Sequence, residues 1–529
     1  MPRSTHPNAS VFIRVHPWFP FQTGRRARNG KNDTGVMQPL TATYRTSLGL
    51  LTDLYQLTMA YGYWKLGRAE QEAVFHLFFR RPPFQGGFAL TAGLAHVVDF
   101  LDRFGIDEGD RAYLATLTGN DGKALFEPAF LDYLGQLSFT CAVDAVPEGT
   151  VVFGDEPLVR VHGPIIQSQI VETALLNLVN FQTLVATKSA RICMAAGEDS
   201  VLEFGLRRAQ GVDGALAATR AAYIGGASAT SNVLAGRLFG IPVHGTHAHS
   251  WVMAFDEEIE SFESYAATLP NNCVFLVDTY DTIAGVHKAV EVGRRLRQRG
   301  HEMVGIRLDS GDLAYLSIEA RRVLDEAGFD KAVIVASNDL DEQLIRDLKQ
   351  QGATVAVWGV GTKLATAYDQ PALGGVYKLG AIRNADGSWK HCVKLSEQVI
   401  KTSIPGILNV RRFATRDGLI ADMIYDELTG VTDATRIIDA DDPERHKSID
   451  AAAQHRDLLV PVARDGHIVM EDESLDVIRQ RAAKELTALH PSIRRFLNPH
   501  EYPVGLESEL HELRSRMIHD ARTKTSEAS

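Results

Sequence analysis

Between residues 274 and 360, short apolar runs rich in β-branched residues recur, each followed by a stretch of helical periodicity. Residues 274–277, 303–308, 332–336 and 354–358 read as strands, and residues 283–299 and 313–326 as helices between them. Strands separated by a single helix do not pair as hairpins; they lie parallel and are joined by right-handed crossovers. Residues 200–204 and 241–243 extend the pattern upstream, with helices expected over 215–223 and 231–238. The pattern predicts a barrel-like α/β core of about six or seven strands.

The chain has 529 residues, more than the roughly 250–300 at which a single core stops growing, so a second unit is expected. A helix over 53–64 and strands over 74–79 and 88–91 give residues 47–150 an α+β character. The barrel is expected within 151–380, a β-rich segment returning to the N-terminal unit within 381–470, and a helical tail within 471–529. Turn signals at 384–387 and 416–418 mark the β-rich segment. Residues 1–46 are rich in Arg, Pro, Asn and Thr with no period, and read as a disordered extension. Two origins stand open for it: an Arg-rich targeting segment, or a translation start placed too early, with Met37 nearer the true one.

A net charge of -11 disfavours a nucleic-acid partner. No apolar run reaches the ~18 residues of a membrane span. Cys141, Cys193, Cys273 and Cys392 form no Cys-x-x-Cys pair, which argues against a zinc ribbon or disulfide framework and for a reducing, cytoplasmic compartment.

In a parallel barrel the loops after the strands build the active site, and here those loops are polar. Asp278 and Asp281 follow the first of the four strands, Arg307, Asp309, Ser310 and Asp312 end the second, and Ser337, Asn338 and Asp339 follow the third. Gly359, Gly361 and Thr362 follow the fourth, where small residues let backbone amides approach an anion; a tight turn is the plainer alternative. Asp278 and Asp309 suit ribose hydroxyls or a magnesium-pyrophosphate group, or simple helix capping. Arg207 and Arg208 after residues 200–204 suit anions or a solvated surface. His244, His247 and His249 fall within six residues, open to a zinc site, a phosphohistidine nucleophile or core hydrogen bonding.

Six stretches in order carry a family resemblance: Leu51-Thr-Asp-Leu-Tyr-Gln56, Leu206-Arg-Arg-Ala-Gln-Gly211, Gly245-Thr-His-Ala-His-Ser250, Gly305-Ile-Arg-Leu-Asp-Ser-Gly-Asp312, Trp358-Gly-Val-Gly-Thr362 and Leu373-Gly-Gly-Val-Tyr-Lys378. From about Leu50 to near the C-terminus the sequence resembles nicotinate phosphoribosyltransferases. The resemblance implies a type II phosphoribosyltransferase fold, an irregular TIM-like α/β barrel with a second α+β domain built from N-terminal and post-barrel segments, and a homodimer with shared active sites. It implies that Tyr55 stacks on the pyridine ring in the partner's site, while Thr246 and Arg307 contact the nicotinate carboxylate. Arg207, Ser337, Gly359, Gly361 and Thr362 would hold the phosphates of phosphoribosyl pyrophosphate, Asp278 and Asp309 its ribose hydroxyls, and His249 would carry a phosphoryl group from ATP as co-substrate. Arg307 and Asp309 join His249 as the expected catalytic residues. Magnesium would ride on the pyrophosphate, with no metal held by the protein itself.

Three rivals remain. A nicotinamide-using relative commonly places an acid near the position of Asn232, and an uncharged residue there favours the acid substrate. A catalytically silent nucleotide sensor would lack a key residue, yet His249, Arg307 and Asp309 are present. An aldolase or isomerase would want a Lys or a Glu base after one of the four strands, and neither stands there.

Overall fold

The computed structural model describes residues 47–395 and 402–527. Residues 1–46, with the expected extension, lie outside them.

The expected parallel sheet is present. Its six strands run in the spatial order Ala229–Thr230, Ser200–Glu203, Val357–Val360, Val333–Ala336, Gly305–Leu308, Val274–Leu276, and every neighbouring pair is parallel. Helices Thr282–Gln298, Leu313–Glu326 and Glu342–Gln350 connect the last four in sequence. Asp281, Asp312 and Asp341 each accept a backbone N–H of the helix that follows, so the acids after the strands double as N-caps.

Two strands differ from expectation. Residues 241–243 form no strand; Val243 makes one parallel bridge to Thr230. Pro242 supplies a carbonyl to Thr230 but has no N–H to give a ladder, and the two-residue strand Ala229–Thr230 takes the position instead. The strand expected over 354–358 runs Val357–Val360, which places Gly359 inside the sheet rather than after it.

Before and after the barrel in sequence, the chain builds a seven-stranded sheet in the order Trp389–His391, Val376–Arg383, Glu72–Phe78, Val159–Pro164, Ala142–Ala145, Val460–Arg464, His467–Ile468. Strand Glu72–Phe78 pairs on one side with Val159–Pro164 and on the other with Val376–Arg383, so N-terminal and post-barrel segments share one sheet, as the fold class requires. A further six-stranded sheet contains the Leu408–Thr415 and Gly418–Asp426 hairpin and the strand Val504–Leu506, which interrupts the expected helical tail between helices Leu475–Ala488 and Ser508–Glu527.

The longest helix, Glu172–Ala196, was not among the expected elements, because it is buried around much of its circumference rather than along one stripe. By length and composition the segment Ile165–Ala196 is apolar enough to cross a membrane. Its buried Lys188 shows it to be a core helix: Nζ lies 2.7 Å from Glu342 and 2.5 Å from Asp369, both contributed by the barrel segment.

A second buried charge cluster ties the sheets together. Arg412, 1% exposed, donates to Asp422 and Glu485, and the Tyr502 hydroxyl donates to Asp422. Glu156, fully buried beside them, accepts from the Phe153 N–H, while its second oxygen has no hydrogen-bond partner among the described residues. Burial, followed by the Asp422 carboxylate, holds the Glu156 carboxyl well above its ordinary range despite Arg412. An acid whose folded pKa is raised binds its proton more tightly when folded, so its contribution to stability falls as pH rises above the unfolded value. Glu156→Gln mimics the protonated acid: its melting temperature should match wild type near pH 5 and exceed it near pH 9, as read by thermal unfolding at the two pH values.

Candidate active site

The loops at the C-terminal ends of the parallel strands meet at one mouth, and Arg307 is their junction. Projecting from strand Gly305–Leu308, its guanidinium donates from Nε to Ser337 Oγ (2.8 Å), from Nη1 to Thr246 Oγ1 (3.0 Å) and from Nη2 to Asp309 Oδ1 (2.7 Å). Three of its five N–H donors are engaged among the described residues, and each terminal nitrogen keeps one more. The side chain is 13% exposed, enough to meet a small anion from one side.

Asp309 also accepts from the Ser337 hydroxyl. Partial burial pushes its carboxyl up, but the Ser337 hydroxyl and the Arg307 charge outweigh this and hold it below its ordinary value. Asp278, whose side chain is fully buried, accepts at Oδ2 from the Asp309 N–H (2.8 Å) and Ser310 Oγ (2.6 Å). Its Oδ1 has no partner among the described residues and stands 4.0 Å from His249 Nε2. A buried carboxylate oxygen without a donor is costly, and its position at the mouth suits a donor supplied by a ligand.

His249 opens the short helix His249–Val252 and is 38% exposed. Nδ1 lies 3.1 Å from Thr279 Oγ1, while Nε2 faces Asp309 Oδ2 at 3.7 Å. His247 is 8% exposed and turns the other way, its Nε2 accepting the Leu276 N–H. The imidazoles of His247 and His249 therefore do not converge, which removes the three-histidine zinc alternative. Among the described residues no group of three or more His, Cys, Asp or Glu side chains is arranged to hold a metal.

Phe204, a residue the sequence reading passed over, forms a wall of the mouth. Its ring centroid is 5.9 Å from the Arg307 guanidinium. A Cβ on Gly359 would stand 2.7 Å from that ring, so Gly359 is small to seat an aromatic side chain as well as to shape the loop. Gly361 caps the four-residue helix Thr362–Ala365. Arg207 and Arg208 lie exposed on the turn Leu206–Arg208, with no ion pair to either among the described residues.

Two further positions singled out in the sequence are Asn232 and Tyr55. Asn232 is 1% exposed: its Oδ1 accepts the Ala235 N–H and its Nδ2 donates to Thr219 Oγ1, each at 3.2 Å. It caps helix Val233–Phe239, two residues past the end of strand Ala229–Thr230. Tyr55, 47% exposed on helix Leu54–Lys65, lines a separate cavity of about 350 Å³ with Thr173, Asn177, Asn180 and Phe181.

Comparison with known proteins agrees with this arrangement along the chain. Residues 50–180 match the nicotinate phosphoribosyltransferase N-terminal domain, 200–407 the nicotinate phosphoribosyltransferase family, and 409–514 its C-terminal domain. The chain belongs to the nicotinate phosphoribosyltransferase family. It is 43% identical over 491 residues to nicotinate phosphoribosyltransferase of Bacillus subtilis strain 168, covering 91% of this chain and 97% of that protein. The human nicotinate phosphoribosyltransferase is 36% identical, covering 88% of this chain and 95% of its own. The crystal structure of human nicotinic acid phosphoribosyltransferase superposes with a TM-score of 0.77 at 34% identity, over 88% of this chain and 100% of that one. A nicotinate-nucleotide pyrophosphorylase structure from Pyrococcus furiosus, at 20% identity and a TM-score of 0.66, shares the fold.

Within this family member, Gly359→Ala should press on the Phe204 ring and disturb the pocket it shares with Arg307. The expected result is a rise in KM for nicotinate on the order of 10- to 100-fold, with a lowered melting temperature, measured by steady-state kinetics and thermal unfolding.

Proposed function

We propose that the protein joins nicotinate to phosphoribosyl pyrophosphate, releasing nicotinate mononucleotide and pyrophosphate, the entry of nicotinate into NAD salvage. The observation that carries this reading is the Arg307 fork: a partly exposed guanidinium with a donor left on each terminal nitrogen, set between Thr246 and Asp309 and beside the Phe204 ring. A planar fork pairs bidentately with a carboxylate, and an aromatic wall suits a pyridine ring. The same fork offers an amide no opposite charge, which favours nicotinate over nicotinamide.

Asp278 and Asp309 would accept hydrogen bonds from the ribose hydroxyls, Asp278 Oδ1 being a buried acceptor without a donor among the described residues. Ser337, Gly359, Gly361 and Thr362 would shape the phosphate end, and Arg207, exposed and unpaired among the described residues, would reach the pyrophosphate. Two carboxylates without a third ligand fit a magnesium ion held mainly by substrate oxygens. When bound there, the ion neutralises pyrophosphate charge. The ring nitrogen attacks the anomeric carbon as pyrophosphate leaves, and Arg307 contributes by fixing the ring's approach. Charge stabilisation by the flanking acids serves the oxocarbenium character that develops on the ribose.

His249 would accept the γ-phosphoryl group of ATP, an N–P bond forming as ADP departs, and lose it later to water. Its Nδ1 is held by Thr279, so Nε2 is the nitrogen presented to the mouth. We place the enzyme in the cytoplasm, a reading supported by its four free cysteines. A homodimer is supported by the exposed Leu54, Tyr55 and Met59 on one helix, and would carry Tyr55 to a partner's pyridine site.

The test is mononucleotide formation from phosphoribosyl pyrophosphate and magnesium, with nicotinate or nicotinamide and with or without ATP. Wild type should consume nicotinate and respond to ATP; His249→Ala should keep a basal rate and lose the ATP response. Preferential turnover of nicotinamide would overturn the carboxylate reading.

A further inference from the structure

The parallel sheet has an unlaced edge. Strand Val274–Leu276 pairs with Gly305–Leu308 on one side only, and Val243 bridges Thr230 and nothing further. Among the described residues no backbone ladder joins these two edges. Alternation along a strand aims the Leu276 N–H away from Gly305–Leu308, into the seam. There it donates to His247 Nε2 at 3.2 Å, a buried bond between residues that are 29 positions apart.

The ring that accepts it is well seated. His247 packs against Tyr265 and Phe262, with centroids 5.0 Å and 6.2 Å away. Burial, with the Arg307 charge adding to it, pushes the imidazole down to about 4. The ring is therefore neutral near pH 7, and because Nε2 accepts a hydrogen bond, its proton sits on Nδ1.

The residue's main chain is also engaged. The carbonyl of His247 accepts from Thr246 Oγ1 (3.1 Å), the same hydroxyl oxygen that receives Arg307 Nη1. Two residues on, His249 meets Thr279, three residues past Leu276 on the strand to which the ring is bound. Ring and carbonyl together fasten one loop to two walls of the mouth.

We propose that His247 is a positioning residue: its imidazole latches the barrel seam, and the latch sets Thr246 for the nicotinate carboxylate and His249 for phosphoryl transfer. The substrate names in this inference rest on the functional reading above. The competing view is that His247 only fills space between Phe262 and Tyr265.

Two variants separate these. His247→Leu keeps an apolar filler but leaves the Leu276 N–H buried without an acceptor. His247→Gln places an amide oxygen near the position of Nε2. For wild type and both variants one would measure nicotinate KM and kcat, transfer of labelled phosphate from γ-labelled ATP to His249, and amide exchange across residues 274–278. We expect His247→Leu to raise KM on the order of tenfold or more, to slow labelling by a similar factor, and to lose protection at one amide. His247→Gln should restore all three to within about threefold, on the argument that the acceptor is what matters.

Wild-type KM and labelling in His247→Leu would overturn the proposal. So would a folded His247→Gln as impaired as the leucine variant. Should His247→Leu fail to fold, the glutamine variant decides alone by the same criteria. A wild type that makes no mononucleotide from nicotinate would sink the functional reading, while the exchange comparison would still decide whether the latch exists.

Discussion

The guanidinium of Arg307 is the joint on which the mouth of the barrel depends. Its donors reach Ser337 after one strand, Asp309 after its own and Thr246 in the histidine loop, so three loops separate in sequence share one planar group. Lysine could not reproduce this, because a point charge on a flexible stem has no fixed fork. The arrangement also explains why Asp309 stays ionised beside a second carboxylate: the nearby cation and the Ser337 hydroxyl offset its partial burial.

Around that joint, histidines two residues apart divide two kinds of work. His247 is buried against aromatic rings and bonded to backbone, whereas His249 is partly exposed and faces two acids. Identical chemistry is thus steered by environment: burial keeps one ring neutral, and exposure leaves the other open to a ligand. Farther out, Lys188 with Glu342 and Arg412 with Glu485 bury charges where segments distant in sequence meet. Buried pairs of this kind add little net stability but are costly to break singly, so they penalise misassembly of the parts.

Much of this was legible in the sequence, for physical reasons that also mark where legibility ended. Buried parallel strands are near-continuous apolar runs, so Gly305–Leu308 and Val333–Ala336 stood out, and Asp278, Arg307, Asp309 and Ser337 could be read as their loop-side ends. Pro242 spoiled the strand expected beside it through a missing N–H that no hydropathy pattern reveals. Gly359 looked like a loop residue because its true neighbour, the Phe204 ring, is distant in sequence. Phe204 was overlooked because an aromatic ending an apolar run looks like core. The helix-capping work of Asn232 was hidden because a cap is recognised by burial and partners, not by residue type alone. The choice between His247 and His249 needed the family resemblance, since the direction each ring takes is set by the open seam and not by local pattern.

The central claim, that a planar fork at the barrel mouth both joins the loops and reads the substrate carboxylate, is tested most directly by Arg307→Lys. Its kcat/KM for nicotinate should fall on the order of 100-fold or more relative to wild type while the folded protein persists in thermal unfolding. A folded Arg307→Lys enzyme whose kcat/KM for nicotinate lies within a few-fold of wild type would contradict the account, because charge alone would then suffice.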